Sequence, residues 1–179
     1  RYYELGPTKE HEFRRYYLNQ WASAPERWLP DALWAACAED VEVPDGARVV
    51  LGFDGSYSRD STALVGCTLG ERPHIFVVGH WERPAGAQED WRVEIRDVEA
   101  AIVNACARWD VQAVACDPHR WQLVIQDLLE AGLPMVEWPS HSAVRMAPAC
   151  AAFEDAVQGR RLSHDGDERL AEHVRNCVV

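Results

Sequence analysis

From residue 49 onward, short unbroken apolar runs alternate with longer stretches in which apolar positions recur every three or four residues. Val49-Val-Leu-Gly-Phe-Asp54 has no polar alternation and reads as a central strand buried on both faces, ending in a carboxylate. Runs over about 61–69 and 74–82, separated by the turn Gly70-Glu-Arg-Pro73, read as a second and a third strand. Connections this short leave no room for a helical crossover, so the first three strands should form an antiparallel meander. Trp91, Ile95, Val98, Ile102, Cys106 and Trp109 then recur at spacings of four and three, the signature of an amphipathic helix. A fourth strand over 112–117 ends in Cys116-Asp117-Pro118. A second helix presents Trp121, Val124, Ile125, Leu128 and Leu129 on one face and stops near Gly132. The fifth strand covers about 134–138. A third helix runs from near Pro148, tolerated in a first turn, through Phe153 and Val157 to Gly159. The last helix, capped by Asp167, carries Leu170, His173, Val174 and Cys177.

Three hairpin-linked strands, a helix, a strand, a helix and a strand give the element order of the ribonuclease H-like fold. The fold class expected is α/β: a mixed five-stranded sheet flanked by helices, strands one to three antiparallel, strands four and five parallel to strand one. The long crossover before strand four lets it lie beside strand one, which brings Asp54 and Asp117 out at the same sheet edge. Residues 1–46 read differently. A helix opening at Pro7 and Thr8 mixes Phe13, Tyr16, Tyr17 and Leu18 with charged residues, and Trp21, Trp28 and Trp34 follow among prolines. This segment reads equally as an aromatic arm that docks elsewhere and as an extension packed on its own domain, with the domain proper at 47–179.

Composition narrows the class. The 179 residues are enough for one α/β domain with a real core. The six scattered cysteines form no C-x-x-C pair, so reduced core thiols are expected rather than disulfides or a zinc site. With no apolar run of membrane-spanning length and no leader, an intracellular protein is expected. A net charge of −11 argues against a large permanent nucleic-acid footprint but leaves room for a local basic edge.

Two carboxylates a few ångströms apart need a compensating charge. Hard oxygen donors suit Mg²⁺ or Mn²⁺, and a pair of such ions supports phosphodiester cleavage. Asp54 is the candidate bridging ligand and Asp117 a ligand to one ion. Singly, a turn cap explains Asp54 and an Asp-Pro turn explains Asp117; matched strand ends favour the metal. Asp60 reads first as a turn aspartate, with a ligand-water role as the alternative. His119 and Arg120, just past Asp117, are candidates for meeting a DNA phosphate or simply a solvated helix start. His164-Asp165-Gly166-Asp167 supplies further acids, of which Asp167 is explained by capping the last helix. His164 and His173, nine residues apart, do not share a helical face, so a zinc site there is rejected.

Several pieces, in order, resemble the nuclease domain of the tailed-phage terminase large subunit. They are Leu5-Gly-Pro-Thr with Phe13-Arg-Arg-Tyr-Tyr-Leu-Asn-Gln-Trp21, Gly52-Phe-Asp-Gly-Ser-Tyr-Ser-Arg-Asp-Ser-Thr-Ala-Leu-Val65, and Cys116-Asp-Pro-His-Arg-Trp-Gln122. Arg145-Met-Ala-Pro-Ala149, Gly159-Arg-Arg-Leu and His164-Asp-Gly-Asp with His173-Val-Arg-Asn176 continue the likeness over nearly the whole chain. The resemblance implies a two-metal endodeoxyribonuclease that cuts concatemeric viral DNA during genome packaging. It implies transient contact with double-stranded DNA, and in the full protein an ATPase domain on the same polypeptide, the portal and the small terminase subunit. The implied location is the host cytoplasm, transiently at the procapsid portal. Residues 1–46 would then be the linker from the ATPase. The family's third acidic ligand usually lies in a helix beyond His173-Val-Arg-Asn176; Asp165 and Asp167 are the candidates to substitute for it or support the site, but a C-terminally truncated site with weak cutting is expected.

Two other classes compete. One is a DNA-guiding or docking module with residual carboxylates, favoured by the acidic balance. The other is a phosphotransferase, since Gly52-Phe-Asp-Gly-Ser56 resembles the phosphate-binding hairpin of sugar and acetate kinases; those enzymes need a second domain for which 179 residues leave no room.

Overall fold

The computed structural model describes residues 27–56, 61–84, 86–87 and 91–177. Their elements run in the order α1 (Asp31–Ala35), β1 (Arg48–Asp54), β2 (Thr62–Thr68), β3 (His74–Trp81), α2 (Ile95–Arg108), β4 (Asp110–Cys116), α3 (Gln122–Glu130), β5 (Met135–Glu137), α4 (Ala143–Gln158), β6 (Ser163–His164) and α5 (Glu168–Asn176). The sheet order is β5-β4-β1-β2-β3-β6. β1, β2 and β3 form the antiparallel meander, and β4 and β5 run parallel to β1. The α/β class and this core topology match the sequence expectation. The sheet has six strands rather than five, because Ser163 and His164 pair in parallel with His74 and Ile75 at the far edge.

Most of the core lies on one sheet face. Val49, Leu51 and Phe53 of β1, Leu64 of β2, Phe76 of β3, and Val114 and Cys116 of β4 pack with Val98, Ile102 and Ala105 of α2 and with Val124, Ile125 and Leu128 of α3. Each Val, Leu, Ile or Phe among them, fully buried, contributes roughly 1.5–3 kcal/mol before entropy is counted. Leu129, expected on the buried face of α3, is half exposed.

The other face corrects the reading of β1. Its residues alternate in burial, with Arg48, Gly52 and Asp54 exposed, so the strand is covered on one face only. The reason is where the remaining helices go. Leu29, Trp34 and Cys37 gather with Val157 of α4 and Leu162 into a second small core, against which Ile75, Phe153 and Leu170 pack. That core covers the β3–β6 edge. Residues 27–46 thus fold onto the same domain, and Trp28 donates its amide to the Cys177 carbonyl. The rest of the aromatic arm lies outside the described residues. α4 begins at Ala143 with Pro148 inside it, not at its first turn. Its N-terminal half is solvent-facing.

Candidate metal centre

In the β1–β4 ladder Phe53 is the partner of Cys116. Asp54 and Asp117 are each the next residue, so the two acids sit side by side at the same end of two parallel strands. Neighbouring strands lie about 4.8 Å apart, within reach of a shared cation. The end of β1 is propped by Trp121. This residue is fully buried at the start of α3, and its ring meets Phe53 edge-on at 4.9 Å. Gly55 is required by the same contact: a Cβ there would lie 2.2 Å from Trp121 Nε1 and 2.7 Å from Phe53 Cζ.

Asp117 is locked in one rotamer. Its Oδ1 accepts the His119 amide at 2.9 Å; its Oδ2 accepts the Ser140 amide at 2.9 Å and the Ser140 hydroxyl. These donors, the Ser140 hydroxyl foremost, hold the carboxyl down at about 2, so it is ionised at any physiological pH. Beside it, burial, reinforced by Glu137, pushes the Cys116 thiol up to about 11, and Cys116 Sγ approaches the Val136 carbonyl at 3.4 Å. The donors offered at this edge are therefore hard carboxylate oxygens rather than thiolate, which fits Mg²⁺ or Mn²⁺ better than a zinc-thiolate site.

The loop after Asp54 is closed by a residue that sequence reading passed over. Thr62 Oγ1 donates to the Ser56 carbonyl at 2.7 Å and accepts the Ser56 amide at 3.0 Å. Asp60, within that loop, lies outside the described residues. His119 and Arg120 are exposed on the β4–α3 loop, Arg120 in the left-handed region at φ 65°. Such a φ is strained for a non-glycine residue and recurs at functional loops.

Asp165 and Asp167 are not brought to Asp54. Asp165 follows β6, where its Oδ2 accepts the Val77 amide and its Oδ1 the Asp167 amide. Between it and β1 stand β3 and β2. Asp167 caps α5, accepting the amides of Arg169 and Leu170. His164 is buried and stacked on Trp34 at 3.9 Å. Its Nδ1 accepts the Gly166 amide, so Nε2 carries the proton and donates to the Trp34 carbonyl at 2.9 Å. It is a core histidine with both nitrogens engaged. Ser140 was the other missed residue; its only sequence signal is that loops after β4 and β5, being parallel, must open at the same sheet end.

The family model of the terminase large subunit endonuclease domain matches residues 87–179. The chain belongs to that family. Asp117 falls within the matched span and Asp54 precedes it. The gene 13 protein of Mycobacterium phage L5 is 31% identical over 93% of this chain, which spans 31% of that protein's length. The large terminase of bacteriophage HK97 superposes with a TM-score of 0.70 at 23% identity, over 95% of this chain and 40% of that one. The nuclease of the large terminase from thermophilic phage G20c, solved with bound magnesium, gives a TM-score of 0.62 at 14% identity, over 86% of this chain and 82% of that one. At these identities the two structures speak to the fold, which is that of phage terminase nucleases. The chain spans about a third of the length of the curated relatives it matches. No helix among the described residues is long and apolar enough to cross a membrane.

Proposed function

We propose that this domain is the metal-dependent endodeoxyribonuclease of a phage DNA-packaging motor, cutting concatemeric viral DNA at the Asp54–Asp117 edge. The observation that carries the reading is the parallel register of β1 and β4, which sets these two acids next to one another. Asp54 would bridge two Mg²⁺ or Mn²⁺ ions, and Asp117, held ionised by Ser140 and the His119 amide, would ligate one of them. Bound there, the ions would supply Lewis-acid stabilisation of charge on the attacking and leaving oxygens. The G20c nuclease, solved with magnesium, with zinc and with cobalt, supports use of a divalent ion.

The protein's own part is positional. Trp121 and Gly55 set the height of the β1 end, Thr62 ties off the loop behind Asp54, and the open second face of the sheet leaves room for a duplex. His119 and Arg120 face solvent beside Asp117 and would meet a backbone phosphate. Residues 1–46 would link a packaging ATPase domain to the nuclease, with 27–46 docked on the nuclease itself. Portal and small terminase subunit would be partners of the whole protein, working in the host cytoplasm at the procapsid.

Incubation of supercoiled plasmid with Mn²⁺ tests this. Nicking that is lost in both Asp54→Asn and Asp117→Asn is expected; full cutting by either variant removes that acid from the mechanism. A DNA-guiding module is the second reading, favoured by the net charge of −11 and by the remoteness of Asp165 and Asp167 from the pair. Under it the plasmid stays intact.

A further inference from the structure

A second set of ligand-type side chains converges outside the carboxylate pair. We infer that His80, Glu82 and His173 form a separate site for a borderline transition-metal ion of the zinc class. One donor atom from each lies within 4.8 Å of the others. His80 Nε2 is 3.0 Å from Glu82 Oε1, and His173 Nε2 is 3.9 Å from the same oxygen. In a tetrahedral zinc site with bonds near 2.0–2.1 Å, ligand atoms stand roughly 3.3 Å apart. The cluster needs only small rotations of two exposed side chains, Glu82 and His173, to reach that spacing. Two imidazoles and one carboxylate, with a position left for water, form a donor set that suits Zn²⁺ or Co²⁺ and is poor for Mg²⁺.

The independent observation is the state of His80. Its side chain is only 7% exposed, and Nε2 has no hydrogen-bond partner among the described residues. Glu82 Oε1 is near but off the line an N–H would take. A buried ring nitrogen without an aligned partner destabilises a fold, and a cation seated between Nε2, Glu82 and His173 removes that defect. The topology accounts for the convergence. A bulge between Leu64 and Val65 sets Val78 aside, after which Gly79 and His80 pair with Leu64 and Ala63. α5 lies across this end of the sheet, with Ser61 Oγ 3.2 Å from His173 Nε2. Because Ala63 is also the partner of Asp54, the acid and His80 flank it in one row on one sheet face. Two strand spacings, about 9.5 Å, separate their backbones, and Asp54 is not among the donors that lie within 4.8 Å of one another.

Arg169 competes for this site. Its guanidinium lies 3.0 Å from His80 Nδ1, and since guanidinium only donates, Nδ1 is the acceptor and Nε2 carries the ring proton. Metal binding at Nε2 moves that proton to Nδ1 and displaces Arg169. The arginine thus weakens the site, which distinguishes it from a merely structural polar cluster.

The test uses the whole chain carrying Asp54→Asn and Asp117→Asn, so that the other centre is silent. After chelation, Co²⁺ is titrated and followed by its visible ligand-field absorption, and Zn²⁺ by calorimetry. One equivalent is expected to bind. Glu82→Gln and His173→Gln, both at exposed positions, should each weaken it at least about tenfold, and Arg169→Gln should tighten it. Absence of Co²⁺ absorption and of Zn²⁺ heat in the double-Asn protein overturns the assignment, as does unchanged affinity in both Glu82→Gln and His173→Gln. Plasmid cutting by the parent chain reads the nuclease proposal separately, so the two stand or fall apart.

Discussion

Ser140 donates twice to one oxygen of Asp117, through its amide at 2.9 Å and through its hydroxyl. The two residues come from the loops after β5 and β4, so the contact fastens the edge of the sheet to the acid beside β1. Replacing Ser140 with alanine keeps the amide and removes the largest cause of the depressed carboxyl. The Asp117 midpoint should rise from about 2 toward its ordinary 3.8, which a carboxyl-carbon NMR titration reads directly. A carboxyl lowered by folding stabilises the fold above its unfolded value, and that contribution fades as pH falls from about 4 toward 2. Ser140→Ala should shrink this acid-side loss. Supports of this kind typically alter metal affinity or activity by about 10–100-fold, and the low end is expected here because the residue-140 amide and the His119 amide still donate.

Thr62 is fully buried, and its hydroxyl clasps both backbone groups of Ser56. Valine has the same shape and neither bond. Thr62→Val should lower stability by roughly 2 kcal/mol, since two backbone groups lose a partner in a place only partly open to water. Urea denaturation measures that loss. Mn²⁺-dependent nicking should fall further than stability does, because the clasp fixes the loop that leaves Asp54. Equal nicking at full occupancy of the folded state would show that the loop needs no such tie.

The carboxylate pair was legible because each acid closes an apolar run and the crossover rule sets the runs parallel. The rest was not, for physical reasons. β6 is two residues long and carries no apolar alternation; it exists only because His74 and Ile75 offer an edge. One-sided burial of β1 depends on which face the later helices choose, and an all-apolar run is silent about that. Ser140 and Thr62 act through hydroxyls that any loop or strand might carry. His173 was weighed against His164, its nearest histidine in sequence. Folding instead seals His164 against Trp34 and brings His80 to His173 across the sheet.

Gly55 should tolerate no side chain while Trp121 is present. The added methyl of Gly55→Ala would overlap an indole that is fully buried and cannot swing aside. Overpacking of this kind costs roughly 1–3 kcal/mol and shifts backbone, here the backbone that carries Asp54. If the clash is the cause, Gly55→Ala and Trp121→Phe should couple. The double variant should be less destabilised than the two single losses added together, by at least about 0.5 kcal/mol, measured as a double-mutant cycle in urea.

His74 gives the fold an acid-side weakness near neutral pH. It is buried at the β3–β6 edge, with Nδ1 2.9 Å from Ser163 Oγ and Nε2 without a hydrogen-bond partner among the described residues. Burial holds its pKa below the ordinary 6.5, outweighing the opposing pull of Asp165 and Glu39. The sign follows directly. As pH falls through 6.5 the unfolded chain takes up this proton more readily than the folded one, so stability declines toward acid. The slope from one such group is at most about 1.4 kcal/mol per pH unit. Urea midpoints between pH 7.5 and 5.5 should fall in the parent and fall less steeply in His74→Phe, which keeps an aromatic side chain, gives up the Ser163 contact and drops the titration. Parallel slopes in the two proteins would assign the acid sensitivity to another group.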